Sequence, residues 1–237
     1  MAWHQSRDEN YTTPIVRGVR RNKSKARERI LNDDEIRAVW KAADASGSFG
    51  GIVKLALLTG QRREKIATMQ WDDIGNDGVW SIRSEEREKG TGRLLKLPKL
   101  ALDIISKQPH ISGNPHIFAG SARGRRRAAD AKPSGPPCFN SWSQRKQELD
   151  DKIPVEMPAW TIHDLRRTAR SLMSRTDIRP DIAERVLGHA IPGVEGIYDR
   201  HRYDEQKTDA LTRLAALIGT IIDPPANNVV AMPKRSN

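Results

Sequence analysis

The sequence predicts a mainly α-helical α+β domain with a small antiparallel β-sheet. Three observations predict it. Most of the chain between Leu31 and Ile222 divides into apolar-periodic segments bounded by helix caps and glycine stops. Two short segments alone read as strands, Val79-Trp80-Ser81-Ile82 and Leu94-Leu95-Lys96-Leu97, joined by a charged turn over residues 85–92. A hydrophobic content of 37% in 237 residues suffices for one helical core.

The elements follow in order. Residues 1–29 are polar and basic, with Arg17, Arg20, Arg21, Lys23, Lys25, Arg27 and Arg29 close together, and are expected to form an extended arm or linker. Order is expected from Leu31. Asn32 or Asp33 caps a helix through Ala43 that buries Ile36, Val39 and Trp40. Gly50 and Gly51 precede an apolar, central helix from Ile52 to Leu58, and Gly60 suits the position just past its end. A short helix over residues 63–70 leads to the two strands. Pro98 ends the second, and helix resumes over residues 100–106. Residues 120–137, rich in Gly, Arg, Ala and Pro, read as a surface loop, with a helix over 140–149 after it. Thr161 and Asp164 form a capping box for a helix reaching Ser174, with Leu165, Ala169 and Leu172 inward. Pro180 and Gly188 bracket the next helix. Residues 204–222 are amphipathic, with Leu211, Leu214, Leu217 and Ile218 inward, and 223–237 read as a flexible tail.

Charge narrows the function. Lys and Arg number 41 against 30 acids, a net charge of +11, and the pI is about 10.0. That balance favours a polyanion, and nucleic acid precedes membrane because no long apolar run exists. Cys138 is the single cysteine, which excludes an internal disulfide. With no apolar secretory segment at the start, the expected location is the cytoplasm.

One phenol and a spaced set of cations suggest chemistry: Arg62, Lys89, His163, Arg166, His189 and Tyr198. A phenol can attack a phosphodiester, and cations can hold the developing charge without metal or other cofactor. Singly, each residue has a plainer explanation. Arg62, in Thr-Gly-Gln-Arg, reads as a surface arginine beside Arg63. His163 and Arg166, three apart on one helical face, form either a phosphate grip or a solvated stripe. His189 suits a structural histidine, Lys89 a solvated turn residue with Lys96 as its competitor. Spacing alone does not choose between Tyr198 and Tyr203.

Their order carries more. Leu57-Leu58-Thr59-Gly60-Gln61-Arg62-Arg63, His163-Asp164-Leu165-Arg166-Arg167-Thr168, Val186-Leu187-Gly188-His189 and Gly196-Ile197-Tyr198-Asp199-Arg200-His201 resemble the catalytic domain of the tyrosine recombinase (phage integrase) family. The resemblance runs from about Leu31 to Ile222. It implies the DNA breaking-rejoining fold for a catalytic domain over 30–222, and Tyr198 as a nucleophile that forms a 3′-phosphotyrosyl link. It implies that Arg62 and Arg166 clamp the non-bridging oxygens and that Lys89 protonates the leaving 5′ oxygen. His163 supports proton transfer at the tyrosine, and His189 hydrogen-bonds the phosphate. The family usually places an acid three positions after the first arginine; here the residue is Lys65, which cannot accept a hydrogen bond.

The partner so implied is double-stranded DNA. The full-length protein would act as a homotetramer on it, with accessory DNA-bending or directionality proteins, while this chain alone is expected to be monomeric or weakly associated. An N-terminal core-binding domain is expected to be absent. Two rival functions stand beside site-specific recombination: type IB topoisomerase-like DNA relaxation, and a catalytically idle DNA-binding remnant of a prophage integrase.

Overall fold

The computed structural model describes residues 27–83, 93–120, 136–189 and 201–225. The arm as far as residue 26, the turn carrying Lys89, most of the segment 120–137, Tyr198 and the tail from residue 226 lie outside them.

Local rules set the element boundaries. Helix α1 (Asp33–Asp44) starts at a reciprocal capping box between Asn32 and Glu35. Helix α2 (Gly47–Thr59) ends at Gly60 in the left-handed conformation, φ 62°. A short α3 (Arg63–Ala67) precedes a 3-10 turn at Trp71–Asp73. Strands β1 (Val79–Ile82) and β2 (Arg93–Lys96) pair antiparallel, with Trp80 opposite Leu95 and Ile82 opposite Arg93. Then come α4 (Lys99–Ser106), α5 (Trp142–Asp150), α6 (Ile162–Arg175), α7 (Pro180–Leu187) and α8 (Asp204–Ile222). Among the described residues the molecule is therefore mostly helical with one two-stranded antiparallel sheet. None of the described helices is long and apolar enough to cross a membrane.

The core forms around α2, in which every residue from Phe49 to Thr59 is buried. It packs on α1, α6, α4 and α8, and α8 also lies against α7, β2 and α6. Even Lys54 is buried, its ammonium paired with Asp44 and set over the Trp40 ring. Trp40 is thus half-buried rather than part of the closed core. On α8, Ile221 is buried while Leu217 stays half-exposed.

Several boundaries differ from the sequence expectation because long-range pairing overrides local preference. Helix α2 begins at Gly47, not Ile52, so Gly50 and Gly51 lie inside it. They permit close packing: a Cβ on Gly50 would sit 1.9 Å from the Ala43 carbonyl oxygen, and one on Gly51 3.0 Å from the Phe118 ring. Helix α3 stops at Ala67, not residue 70, because the Met69 carbonyl accepts from Ile117 N (3.0 Å) and Gln70 bridges to His116. Helix α5 starts at Trp142, two residues late, because Phe139 N donates to the Phe118 carbonyl (2.8 Å). Strand β2 lies one residue earlier than expected, which brings Arg93 into the ladder.

Gly50→Ala tests the close packing. Helix propensity alone predicts a gain of about 1 kcal/mol. The clash with a backbone oxygen predicts the opposite, a loss of about 1–3 kcal/mol, measurable by chemical denaturation.

Candidate active site

Two helix ends and one helix start meet at the candidate site. The C-terminal ends of α2 and α7 both close on left-handed glycines, Gly60 and Gly188. Their carbonyl oxygens belong to the unsatisfied, partly negative ends of helices. Helix α6 places Arg166 between them. Its Nη1 donates to the Gly60 carbonyl at 2.6 Å, and both Nη1 and Nη2 approach the Leu187 carbonyl at 3.2 Å.

Arg166 is only 4% exposed. Burial and the neighbouring charges of Arg62 and Arg93 lower its pKa to about 10, with Glu184 opposing them. It therefore stays cationic at neutral pH. Its hydrogen-bonded oxygens are carbonyls, which satisfy donors without cancelling the charge.

The candidate residues converge as follows. Arg62, His163 and Arg166 line one hollow of about 330 Å³, together with Gln61, Arg63, Glu64, Thr161 and Ile162. His189 borders Arg166, with its Nε2 2.6 Å from Nη2. Lys89 and Tyr198 lie outside the described residues. His163 is exposed but close to several cations. Partial burial and then the charges of Arg167, Arg166 and Arg62 lower its pKa, against a smaller opposing effect from Asp164. Neutral imidazole is therefore favoured, the form that can accept a proton.

The rival phenol, Tyr203, has its own structural setting. It precedes α8 with φ 52°, beneath the Arg185 guanidinium and edge-on to His201. Lys65 is 6% exposed and donates to the Arg83 carbonyl at 2.9 Å, so this position ties α3 to the end of β1.

Three neighbours of the site were not singled out by sequence reasoning. Gln61 Nε2 donates to the Val186 carbonyl (2.6 Å) and the Thr59 carbonyl (3.2 Å), stitching the loop before Arg62 to α7. Arg93 Nη1 donates to the Leu187 carbonyl at 3.1 Å, sharing that acceptor with Arg166. A Cβ at Gly188 would fall 0.6 Å from Arg93 Nη1, so the glycine serves both a positive φ of 75° and this guanidinium. Glu184 accepts from Arg170 Nε at 2.8 Å. None of the three had a local signal, since Gln61, Arg93 and Glu184 are held by contacts between separate elements; only Arg170, the partner of Glu184, lies one helical turn after Arg166.

The start of α6 is held by Asp164, which is fully buried. It accepts from Thr161 N and Thr161 Oγ1, both at 2.9 Å, and from Arg167 at 2.6 Å, and pairs with Arg27 at 3.4 Å. Burial opposes its ionisation, but the hydrogen bonds from Thr161 and Arg167 and the charge of Arg27 prevail, and its pKa is lowered. Because the folded value lies below the unfolded one, this stabilisation is full above the unfolded pKa and fades as pH falls through the folded one. Asp164→Asn should cost about 1.5–3 kcal/mol at pH 7 and flatten the loss of stability below about pH 4. Denaturation curves across pH 2–7, a range of about five units around the carboxylate pKa, measure both effects.

Comparison with known proteins agrees with the motif order. Residues 29–205 match the model of the phage integrase family. An integrase of Streptomyces ambofaciens is 25% identical over 180 residues, covering 68% of this chain and 46% of that protein. The integrase of Escherichia phage lambda is 25% identical over 183 residues, covering 75% of this chain and 49% of that protein. The chain thus spans about half the length of these two relatives. The crystal structure of a lambda integrase dimer bound to a COC′ core site superposes with a TM-score of 0.57 at 23% identity, covering 80% of this chain and 68% of that one. By fold, and by a family match over most of its length, this chain belongs to the phage integrase family.

Proposed function

We propose that this chain cleaves and rejoins double-stranded DNA as the strand-exchange part of a site-specific recombinase. One observation carries the reading: Arg62, about a hundred residues upstream, lines a single hollow with His163 and Arg166 of one helix, and His189 is hydrogen-bonded to Arg166. Such a hollow matches the demand of phosphoryl transfer, in which charge builds on the non-bridging oxygens. Family membership and the likeness to a DNA-bound lambda integrase dimer support duplex DNA as the partner and assembly on it.

In this reading Tyr198 attacks the scissile phosphorus. The 5′ oxygen leaves with a proton from Lys89, and the protein becomes joined to DNA by a 3′-phosphotyrosyl ester. Neutral His163 takes the phenolic proton. Arg62 and Arg166 hold the non-bridging oxygens, and His189 joins them. Attack by a 5′ hydroxyl of another strand reverses the sequence and releases the tyrosine. The ester conserves the bond energy, so the cycle consumes no nucleotide cofactor. Exchange between two duplexes then requires four copies of the full-length protein, and its direction can be set by accessory proteins.

A duplex nicked beside the cleavage position traps the ester, because the short leaving strand diffuses away. Active protein should yield a covalent protein–DNA band on a denaturing gel. Tyr198→Phe should abolish the band, and EDTA should leave it intact; a band that survives Tyr198→Phe refutes the assigned nucleophile. Arg166→Ala should slow adduct formation by ~100-fold or more, as when a preorganised donor to a developing oxyanion is removed. DNA affinity, read by anisotropy, should fall much less.

A further inference from the structure

We infer that Glu184 is a positioning residue that holds the His189 ring in its Nδ1–H tautomer, with Nε2 turned toward Arg166. The tautomer stands on the geometry below; its value in catalysis rests on the strand-transfer reading.

Helix α6 presents Arg166 and Arg170 one turn apart, and α7 with its C-cap presents Glu184 and His189 to both. Glu184 Oε1 accepts from Arg170 Nε at 2.8 Å, and Oε2 is hydrogen-bonded to His189 Nδ1. His189 Nε2 faces Arg166 Nη2 at 2.6 Å. The main chain reinforces the pairing, since His189 N donates to the Glu184 carbonyl at 3.0 Å. The order Arg170, Glu184, His189, Arg166 is therefore one continuous chain of hydrogen bonds.

The donors in that chain decide the proton positions. A guanidinium has no acceptor, so His189 Nε2 must offer its lone pair to Arg166. Burial opposes ionisation of Glu184, but the hydrogen bonds from Arg170 and His189 prevail and lower its pKa. An ionised carboxylate only accepts, so His189 Nδ1 must carry the hydrogen. The result is the neutral tautomer that a free histidine side chain populates less. A second-neighbour carboxylate commonly fixes a working imidazole in this way.

The arrangement suits an incoming phosphate. A non-bridging oxygen that takes the place of Nε2 as acceptor of the Arg166 Nη2 hydrogen frees the ring nitrogen. The ring is 43% exposed, so Nε2 can take a proton from solvent and donate it to the same phosphate.

Glutamine at position 184 makes a sharp test. Arg170 Nε still requires an acceptor and would claim the single amide oxygen. The amide NH2 would then face His189 Nδ1 and force the hydrogen to Nε2, against Arg166. The experiment is long-range 1H–15N correlation on 15N-histidine-labelled protein near neutral pH, without DNA, with His189 assigned from His189→Asn. Wild type should show a protonated Nδ1 and an unprotonated Nε2, and Glu184→Gln should invert the pattern. An Nε2–H form or an unbiased mixture in wild type overturns the inference, as does a folded Glu184→Gln that keeps Nδ1–H. Should the variant fail to fold, the wild-type spectrum still decides. On a nicked duplex that wild type cleaves, Glu184→Gln should slow adduct formation by ~10–100-fold, the usual effect of losing a partner that orients a histidine. Equal rates would remove the functional role. A wild-type chain that forms no adduct would count against strand transfer, and the spectra would still judge Glu184.

Discussion

The organisation of the site depends on one buried guanidinium. Arg166 has almost no contact with solvent, and an unsatisfied cation there would be costly. The carbonyls of Gly60 and Leu187, at the C-terminal ends of two helices, satisfy its donors. Those oxygens carry only partial negative charge. A carboxylate in their place would have neutralised the group and left little attraction for an anion. Helix ends thus hold the arginine in place while its charge remains available.

Other features follow from bringing those helix ends together. Both must turn sharply just beyond their last residues, and Gly60 and Gly188 allow it at positive φ. The turns are then crowded. A Cβ at Gly60 would reach to 2.6 Å from Leu187, and Gly188 lies under the Arg93 guanidinium. Gln61 spans the same gap by donating to the Val186 carbonyl. Strand β2 joins the assembly through Arg93, so the base of the segment that carries Lys89 is fastened to the turn that carries His189. Helix α2, buried on all sides, supplies a rigid support beneath.

Charge is handled differently at the edges of the site. The start of α6 is tied by the buried Asp164, whose partners are Thr161 and Arg167 within the helix start and Arg27 from the stretch just before α1. Arg27 donates to the Ala159 carbonyl at 2.7 Å, and Arg29 pairs with Glu35 at 2.5 Å. Asp164 and Glu35 therefore brace the periphery, and the hollow, whose lining also includes Glu64, keeps Arg62 and Arg166 beside His163.

The sequence by itself determined the helical architecture, because caps and glycine stops act within a few residues. The Asn32-or-Asp33 cap, which the structure resolves to Asn32, Thr161 with Asp164, Pro180 and Gly188 mark ends that the structure keeps. It also ordered the candidate cations, through segments short enough to read as motifs. Only the tertiary structure decided where a boundary yields to a distant partner, as at Gly50 against Ala43 and Met69 against Ile117. It alone showed Glu184 beside His189 and Arg93 over Gly188. Arg93 and Gly188 belong to separate elements, and Glu184 meets His189 only through the turn beyond the end of α7, so no helical periodicity encodes either pairing. They arise when packing leaves buried donors and acceptors that must find one another.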